Sequence, residues 1–387
     1  MKWQGFLLRL LKFLEAKLEV KKEMKKRIDI IAGARPNFMK IAPIIKAIES
    51  DANDCLDYRL IHTGQHYDSK MSGDFFEQLG IPEPHLNLSV GSGTAAEQTA
   101  GIMIGYERVL LSERSDLCLV VGDVTSTMAC AISAQKLHVP VAHVEAGIRS
   151  GDWTMPEEIN RLVTDSITNH FFTTTKLAGD YLKSTGIAEE KIFFVGNTMI
   201  DTLLANLPKL RAPSFWDSLG LVEGQYFVTT LHRPSNVDLK EGFIHLLKTI
   251  GDATRGLPVI FPVHPRTAKQ LTEHGDIIPQ NIHLVDPQAY LEFNFLVKHS
   301  KAVITDSGGI TEESTVMGIP CITLRDSTER PETVTIGTNE IIGTNPDRLH
   351  ESLNKIFDNK WKKGGIPELW DGKTGERIVK CLTQILA

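Results

Sequence analysis

Leu117-Cys118-Leu119-Val120-Val121-Gly122-Asp123 is an unbroken apolar run that ends on a glycine and a carboxylate. A helical pattern over 126–137 follows, and a second apolar run over 139–144 ends on Glu145. Runs without polar alternation fit strands covered on both faces, and a helix between them is the crossover that a parallel pair requires. Working outward, the pattern predicts further strands over 28–32, 58–62, 170–174 and 191–195, with helices over 38–50, 156–168 and 176–183. Near Gly196 the series restarts, with strands over 226–231, 259–263, 282–285, 302–305, 321–324 and 340–342. The expected fold class is α/β, two doubly wound domains facing a cleft, with Pro208, Pro213 and two glycines marking a connection over 206–224. The expected division is an extension over 1–26, a first domain over 27–196 and a second over 197–371.

With 387 residues, 42% hydrophobic and 23% charged, the chain can fill two cores. A net charge of −6 argues against a nucleic-acid partner. Five scattered cysteines, without a Cys-x-x-Cys pair, predict neither a disulfide scaffold nor a metal site and fit the cytoplasm. The first 26 residues differ: eight basic and three acidic side chains accompany apolar residues spaced three and four apart. A basic amphipathic helix could contact a membrane surface or partner through residues 1–23, although Met24 also reads as an internal start.

In doubly wound sheets functional groups lie past the carboxyl ends of strands. That rule selects Arg35, Asp123 and Glu145 in the first half, and His232, Arg233, His264 and Asp306-Ser307-Gly308-Gly309 in the second. It predicts a charge-segregated cleft, acidic on one side and suited to phosphate on the other. Ser307-Gly308-Gly309 opens a helix, where small residues let amides approach an anion, and Arg330 falls in the same half. Gly91-Ser92-Gly93-Thr94-Ala95-Ala96 matches a dinucleotide fingerprint but does not follow the first strand, so no bound NAD, and no other cofactor, is expected. Thr154 and Glu157 fit a helix capping box, while Glu157 and Arg161 would share one helix face. Asp123, Glu145 and Glu157 together suit acid–base work, since crowded carboxylates raise one another's pKa. Lys40, by itself, reads as a solvated helix lysine.

Gly33-Ala34-Arg35-Pro36, Gly122-Asp123, His143-Val144-Glu145-Ala146-Gly147, Pro156-Glu157-Glu158-Ile159-Asn160-Arg161, Gly196-Asn197-Thr198, Asp306-Ser307-Gly308-Gly309 and Arg325-Asp326-Ser327-Thr328-Glu329-Arg330-Pro331-Glu332 occur in this order. The chain from about Arg27 onward closely resembles the non-hydrolysing UDP-N-acetylglucosamine 2-epimerases. The resemblance implies two Rossmann-like domains of the glycosyltransferase-B-like type, with the last helix, 372–387, crossing back to the first. It further implies a homodimer that interconverts UDP-GlcNAc and UDP-ManNAc. Arg35, His232, Phe293, Ser307, Gly308, Gly309, Glu313 and Arg330 would hold the UDP moiety. Asp123, Glu145, Glu157 and Arg161, with Lys40 and His232, would surround the sugar. The family's Gln-His-Arg motif, part of an allosteric site for a second UDP-GlcNAc in many bacterial members, here reads Gln65-His66-Tyr67-Asp68. That departure bears on activation, and the new pattern is similar to relatives acting on UDP-2,3-diacetamido-2,3-dideoxyglucuronate.

The hydrogen at C2 of such a sugar is not acidic, so inversion needs transient oxidation or elimination across C1 and C2. Without an NAD motif, elimination of UDP through a 2-acetamidoglucal is expected, the base being one of Asp123, Glu145 and Glu157. The competing readings are a hydrolysing epimerase releasing ManNAc and UDP, a glycosyltransferase requiring an acceptor, and a membrane-tethered nucleotide-sugar-binding subunit.

Overall fold

The computed structural model describes residues 25–64, 78–232, 240–263, 271 and 278–387. The basic segment over 1–23, the Gln65-His66-Tyr67-Asp68 stretch, Arg233 and His264 lie outside the described residues. The first sheet holds β1 (Lys26–Ala32), β2 (Leu56–His62), β3 (Leu86–Asn87), β4 (Leu117–Val121), β5 (Val141–Val144), β6 (His170–Thr173) and β7 (Ile192–Phe194). The second holds β8 (Phe227–Thr230), β9 (Val259–Pro262), β10 (Ile282–Val285), β11 (Ala302–Thr305), β12 (Cys321–Thr323) and β13 (Asn339–Ile341). Their orders, β3-β2-β1-β4-β5-β6-β7 and β10-β9-β8-β11-β12-β13, are those of two Rossmann-like sheets, parallel throughout. Each order reverses beside its first strand, at β1/β4 and β8/β11, and a crevice opens at the carboxyl ends of strands at such a point.

The helices of the first half are α1 (Arg35–Glu49), α2 (Ala95–Ser112), α3 (Thr125–Lys136), α4 (Pro156–Ile167), α5 (Lys176–Ser184) and α6 (Thr198–Asn206). Those that follow are α7 (Lys240–Ala253), α8 (Tyr290–His299), α9 (Gly308–Met317), α10 (Pro331–Thr335), α11 (Pro346–Phe357) and α12 (Thr374–Leu386). Every residue of β4, β5 and β11 is buried, which their unbroken apolar runs require. Among the described residues no helix is long and apolar enough to cross a membrane.

Local chemistry explains where the elements depart from the sequence pattern. The run over 139–144 becomes a strand only from Val141, because Pro140 has no N–H to give a ladder and offers only its carbonyl, to the Cys118 amide at 2.9 Å. Helix α1 begins three residues earlier than expected: with no capping side chain at Ala34, Asn37 inside the first turn accepts from the Ala34 amide at 2.9 Å and donates to the Val121 carbonyl. The two-residue edge strand β3 is exposed and carries no apolar run to announce it. Asp29 interrupts the apolar β1, and is buried because Arg59 grips both its oxygens at 2.8 and 2.9 Å while the Tyr106 hydroxyl donates at 3.0 Å. Within the predicted connection, Phe215, Trp216, Leu219 and Leu221 pack into the second sheet's core, so only the stretch before them reads as a link.

The last helix returns to the first sheet, as expected. Ile378, Val379 and Leu382 of α12 join the cluster formed by Ile28, Ile30, Ile41 and Ile44. Contact is close enough that a Cβ on Gly375 would lie 2.4 Å from the Pro43 carbonyl oxygen, and the Gly375 amide donates to Asp201 at 2.7 Å. Ile378→Ala should therefore cost about 3 kcal/mol in urea denaturation, against roughly 0.5 kcal/mol or less for Lys380→Ala on the exposed face. Equal effects would mean that the helix does not anchor the first core.

Candidate active site between the two sheets

A cavity of about 440 Å³ lies at the strand ends and takes its walls from both sheets. Lys40, Asp123, Glu145, Glu157, Arg161, His232, Phe293, Ser307, Gly308, Gly309, Glu313 and Arg330 all line it. Arg35 opens α1 beside them, its side chain lying outside what is described.

The first-sheet wall is built on two left-handed residues. Gly122, after β4, has φ +68°, and a Cβ there would come within 3.0 Å of Lys40 Nζ and 3.6 Å of Glu145 Oε2. Only glycine combines that backbone with room for the Lys40–Glu145 pair. Glu145, after β5, has φ +70°, a conformation costing a non-glycine residue on the order of 1 kcal/mol or more. The strained backbone places its carboxylate 2.6 Å from Lys40 Nζ and 3.2 Å from Arg330 Nη2, with Oε1 buried and unbonded. Lys40 is thus a largely buried ion-pair partner, not the solvated lysine its helical position suggested.

Arg330 carries the second sheet's side across the crevice. Its Nε lies 2.8 Å from Glu312 Oε1, which also accepts from Asn197 Nδ2 at 2.8 Å, and its Nη1 donates to Thr174 Oγ1 at 3.3 Å. Burial disfavours its charge, but Glu312, Glu145 and Glu332 outweigh that and raise its pKa. Burial likewise would raise Glu145, yet Lys40 and Arg330 hold that carboxyl below its ordinary range. The expected mutual raising of carboxylates fails at Glu145 because two cations flank it. It holds instead at Glu312, where burial outweighs Arg330 and the nearby Glu145 adds to the rise. Glu312 was missed as a site residue since, on sequence, it is one polar position in a helix.

Charge is accordingly not segregated. Glu312, Glu313 and Glu329 line the second side, and Lys40 and Arg161 the first. Arg161 of α4 pairs with Asp123 and, through Nη2, with Glu158 at 2.7 Å. The capping box read at Thr154 and Glu157 does not form. Thr154 bonds to Asp152 instead, Met155 is the N-cap without a side-chain bond, and Glu157 turns to the cavity.

Across the crevice, Asp306 is fully buried and lies 2.7 Å from His232 Nδ1, while the His232 amide donates to it at 3.0 Å. The imidazole is oriented with its other edge available to the cavity. Ser307 is the N-cap of α9 but its hydroxyl makes no capping bond, leaving the first-turn amides open to an anion. A Cβ on Gly308 or Gly309 would meet nothing nearer than 3.9 Å, so it would project into the cavity's own space. Deeper in α9, Glu313 accepts from the Tyr290 hydroxyl at 2.9 Å. Burial pushes its carboxyl up to about 7, against hydrogen bonds from Tyr290 and Asn294. The Gly91-Ser92-Gly93 stretch precedes α2, where Thr94 forms a capping box with Glu97. Among the described residues no cluster of His, Cys, Asp and Glu could hold a metal.

A family model described as UDP-N-acetylglucosamine 2-epimerase matches residues 47–383. A Methanocaldococcus jannaschii protein named UDP-N-acetylglucosamine 2-epimerase is 43% identical over 369 residues, covering 92% of this chain and 99% of that one. A Pseudomonas aeruginosa protein named UDP-2,3-diacetamido-2,3-dideoxy-D-glucuronate 2-epimerase is 39% identical over 364 residues, covering 93% of this chain and 100% of that one. The crystal structure of M. jannaschii UDP-GlcNAc 2-epimerase in complex with UDP-GlcNAc and UDP superposes with a TM-score of 0.82 at 42% identity, covering 92% of this chain and 99% of that one.

The Glu313 carboxyl gives the site a pH signature. Above its ordinary value of 4.5 the unfolded chain releases this proton while the folded chain keeps it to about 7. Stability therefore falls as pH rises through that window, and a cost of roughly 3 kcal/mol stands in full above it. Glu313→Gln removes the cost, so urea denaturation should show the variant gaining on the parent between pH 5 and pH 8. An unchanged difference would mean that Glu313 does not titrate there.

Proposed function

The chain belongs to the UDP-N-acetylglucosamine 2-epimerase family, and on that premise we propose that it interconverts UDP-GlcNAc and UDP-ManNAc without hydrolysis. One observation carries the reading: a helix terminus and an arginine fit to hold a diphosphate share a single cavity with the carboxyl groups of Asp123, Glu145 and Glu157. In elimination the C2 proton passes to a carboxylate as the C1–O bond to UDP breaks, leaving 2-acetamidoglucal. Re-addition returns UDP to C1 and a proton to the opposite face of C2. Two of Asp123, Glu145 and Glu157 serve as base and acid, since the two proton transfers need groups on two faces of the ring.

The diphosphate must be stabilised as it leaves and yet be kept. Arg330, the α9 amides and His232 do this, with Asp306 fixing the His232 ring. Phe293 and Glu313 hold the uridine end, and Arg35 joins the diphosphate. Arg161 holds Asp123 in place, and Lys40 keeps Glu145 ionised. The same reading carries a homodimer in the cytosol, which light scattering and cell fractionation test. A second reading, 2-epimerisation of UDP-2,3-diacetamido-2,3-dideoxyglucuronate, is supported by the 39% identical relative and the Gln65-His66-Tyr67-Asp68 pattern.

Incubation with UDP-GlcNAc in deuterated water, followed by proton and phosphorus NMR, should yield UDP-ManNAc carrying deuterium at C2. Free ManNAc with UDP would overturn the non-hydrolysing assignment, and turnover of the diacetamido-uronate alone would favour the second reading. Two of Asp123→Asn, Glu145→Gln and Glu157→Gln should lower kcat by about 100-fold or more while UDP still binds, which identifies the acid–base pair. Gly309→Ala should leave thermal stability intact or improved, because alanine suits a helix and nothing obstructs its Cβ. The methyl would instead occupy diphosphate space and weaken UDP binding in calorimetry by about tenfold or more.

A further inference from the structure

His143 is fully buried beneath the cavity and does not line it. Its Nε2 lies 2.9 Å from the Gly122 carbonyl oxygen and its Nδ1 lies 2.7 Å from Asp165 Oδ1. A carbonyl oxygen can only accept, so Nε2 carries a proton. The other Asp165 oxygen accepts from the Gly147 amide at 3.0 Å and pairs with Arg149 Nη2 at 2.7 Å, a donor set for an ionised carboxylate. Oδ1 therefore accepts as well, and Nδ1 must donate to it. We infer that His143 is a permanently protonated imidazolium and a positioning residue, bracing the Gly122-Asp123 turn from below and adding a fixed positive charge behind Glu145.

Three features support this. A neutral ring would leave either the Gly122 carbonyl or the Asp165 oxygen without its donor in a site closed to water. The turn in question is the left-handed Gly122, whose amide in turn donates to the Val144 carbonyl at 3.0 Å, tying the ends of β4 and β5 together. Burial would raise the Asp165 carboxyl, but His143 and Arg149 hold it below its ordinary range. The charged groups acting on the ring are Asp165 from α4, Arg149 paired to it, and Glu145 further along its own segment, with Lys40 and Arg330 beyond Glu145. His143 touches no reacting atom. It acts through where Asp123 and Glu145 stand.

The test uses the full chain labelled with nitrogen-15 at histidine rings, with the His143 signals identified by their loss in His143→Gln. Both ring nitrogens should stay protonated from about pH 6 to about pH 9, well past the ordinary histidine range. A single protonated nitrogen at neutral pH would overturn the inference. Asp165→Asn keeps a polar partner but removes the charge, so the buried ring should then carry one proton and not two at neutral pH. In that variant kcat for UDP-GlcNAc should fall roughly 100-fold, with KM little changed, as misplacement of the carboxylates predicts. Parental kcat with the ring still doubly protonated would count against it. Should His143→Gln fail to fold, the signals that move in Asp165→Asn identify the ring. The ring signature is read without substrate, so it fails or stands separately from the epimerase reading, on which only the kcat measurement rests.

Discussion

Arg330 is buried between carboxylates from opposite sides of the crevice, Glu145 after β5 of the first sheet and Glu312 on α9 beside the second. Removing an isolated guanidinium from water costs several kcal/mol, and the burial is tolerable only because partners surround it. That requirement reaches into both halves of the molecule. Glu145 must leave its strand in a left-handed conformation, Gly122 must stay small for Lys40 to reach the same carboxylate, and Asn197 must hold Glu312. The cluster links the two sheets past the carboxyl ends of β5 in the first and β12 in the second.

The same cluster explains why the site's titration differs from simple crowding. Carboxylates crowded into one cavity would push protons onto one another, but Glu145 and Asp123 on the first-sheet side each have an answering cation. Glu145 has Lys40 and Arg330, and Asp123 has Arg161. Protons are instead retained on the second side, at Glu312 and Glu313, where burial prevails over few or neutral partners. Glu145 is thus held below its ordinary range on one side of the cleft, while Glu312 and Glu313 keep their protons to higher pH on the other.

Much of this was legible in the order of residues. Continuous apolar runs dictated strands covered on both faces, their alternation with helices dictated parallel sheets, and the strand-end rule then placed Asp123, Glu145, His232 and Ser307 in one crevice. The capping box at Thr154 was a fair local reading that lost to a nearer partner, Asp152. Lys40 looked solvated because helical spacing records which face a residue lies on, not which loop from 105 residues away packs over it.

What sequence determined by itself is the set of elements and the strand ends from which function projects, because hydrophobic period and helix signals act over a few residues. What only the tertiary structure decided is the pairing: Glu145 with Arg330, Arg330 with Glu312, His143 with Asp165 and Gly122. Those contacts join different strands and helices, and their energies depend on burial and on distances of about 3 Å that exist only once the elements have packed, and for Glu145 with Arg330 only once both sheets have met.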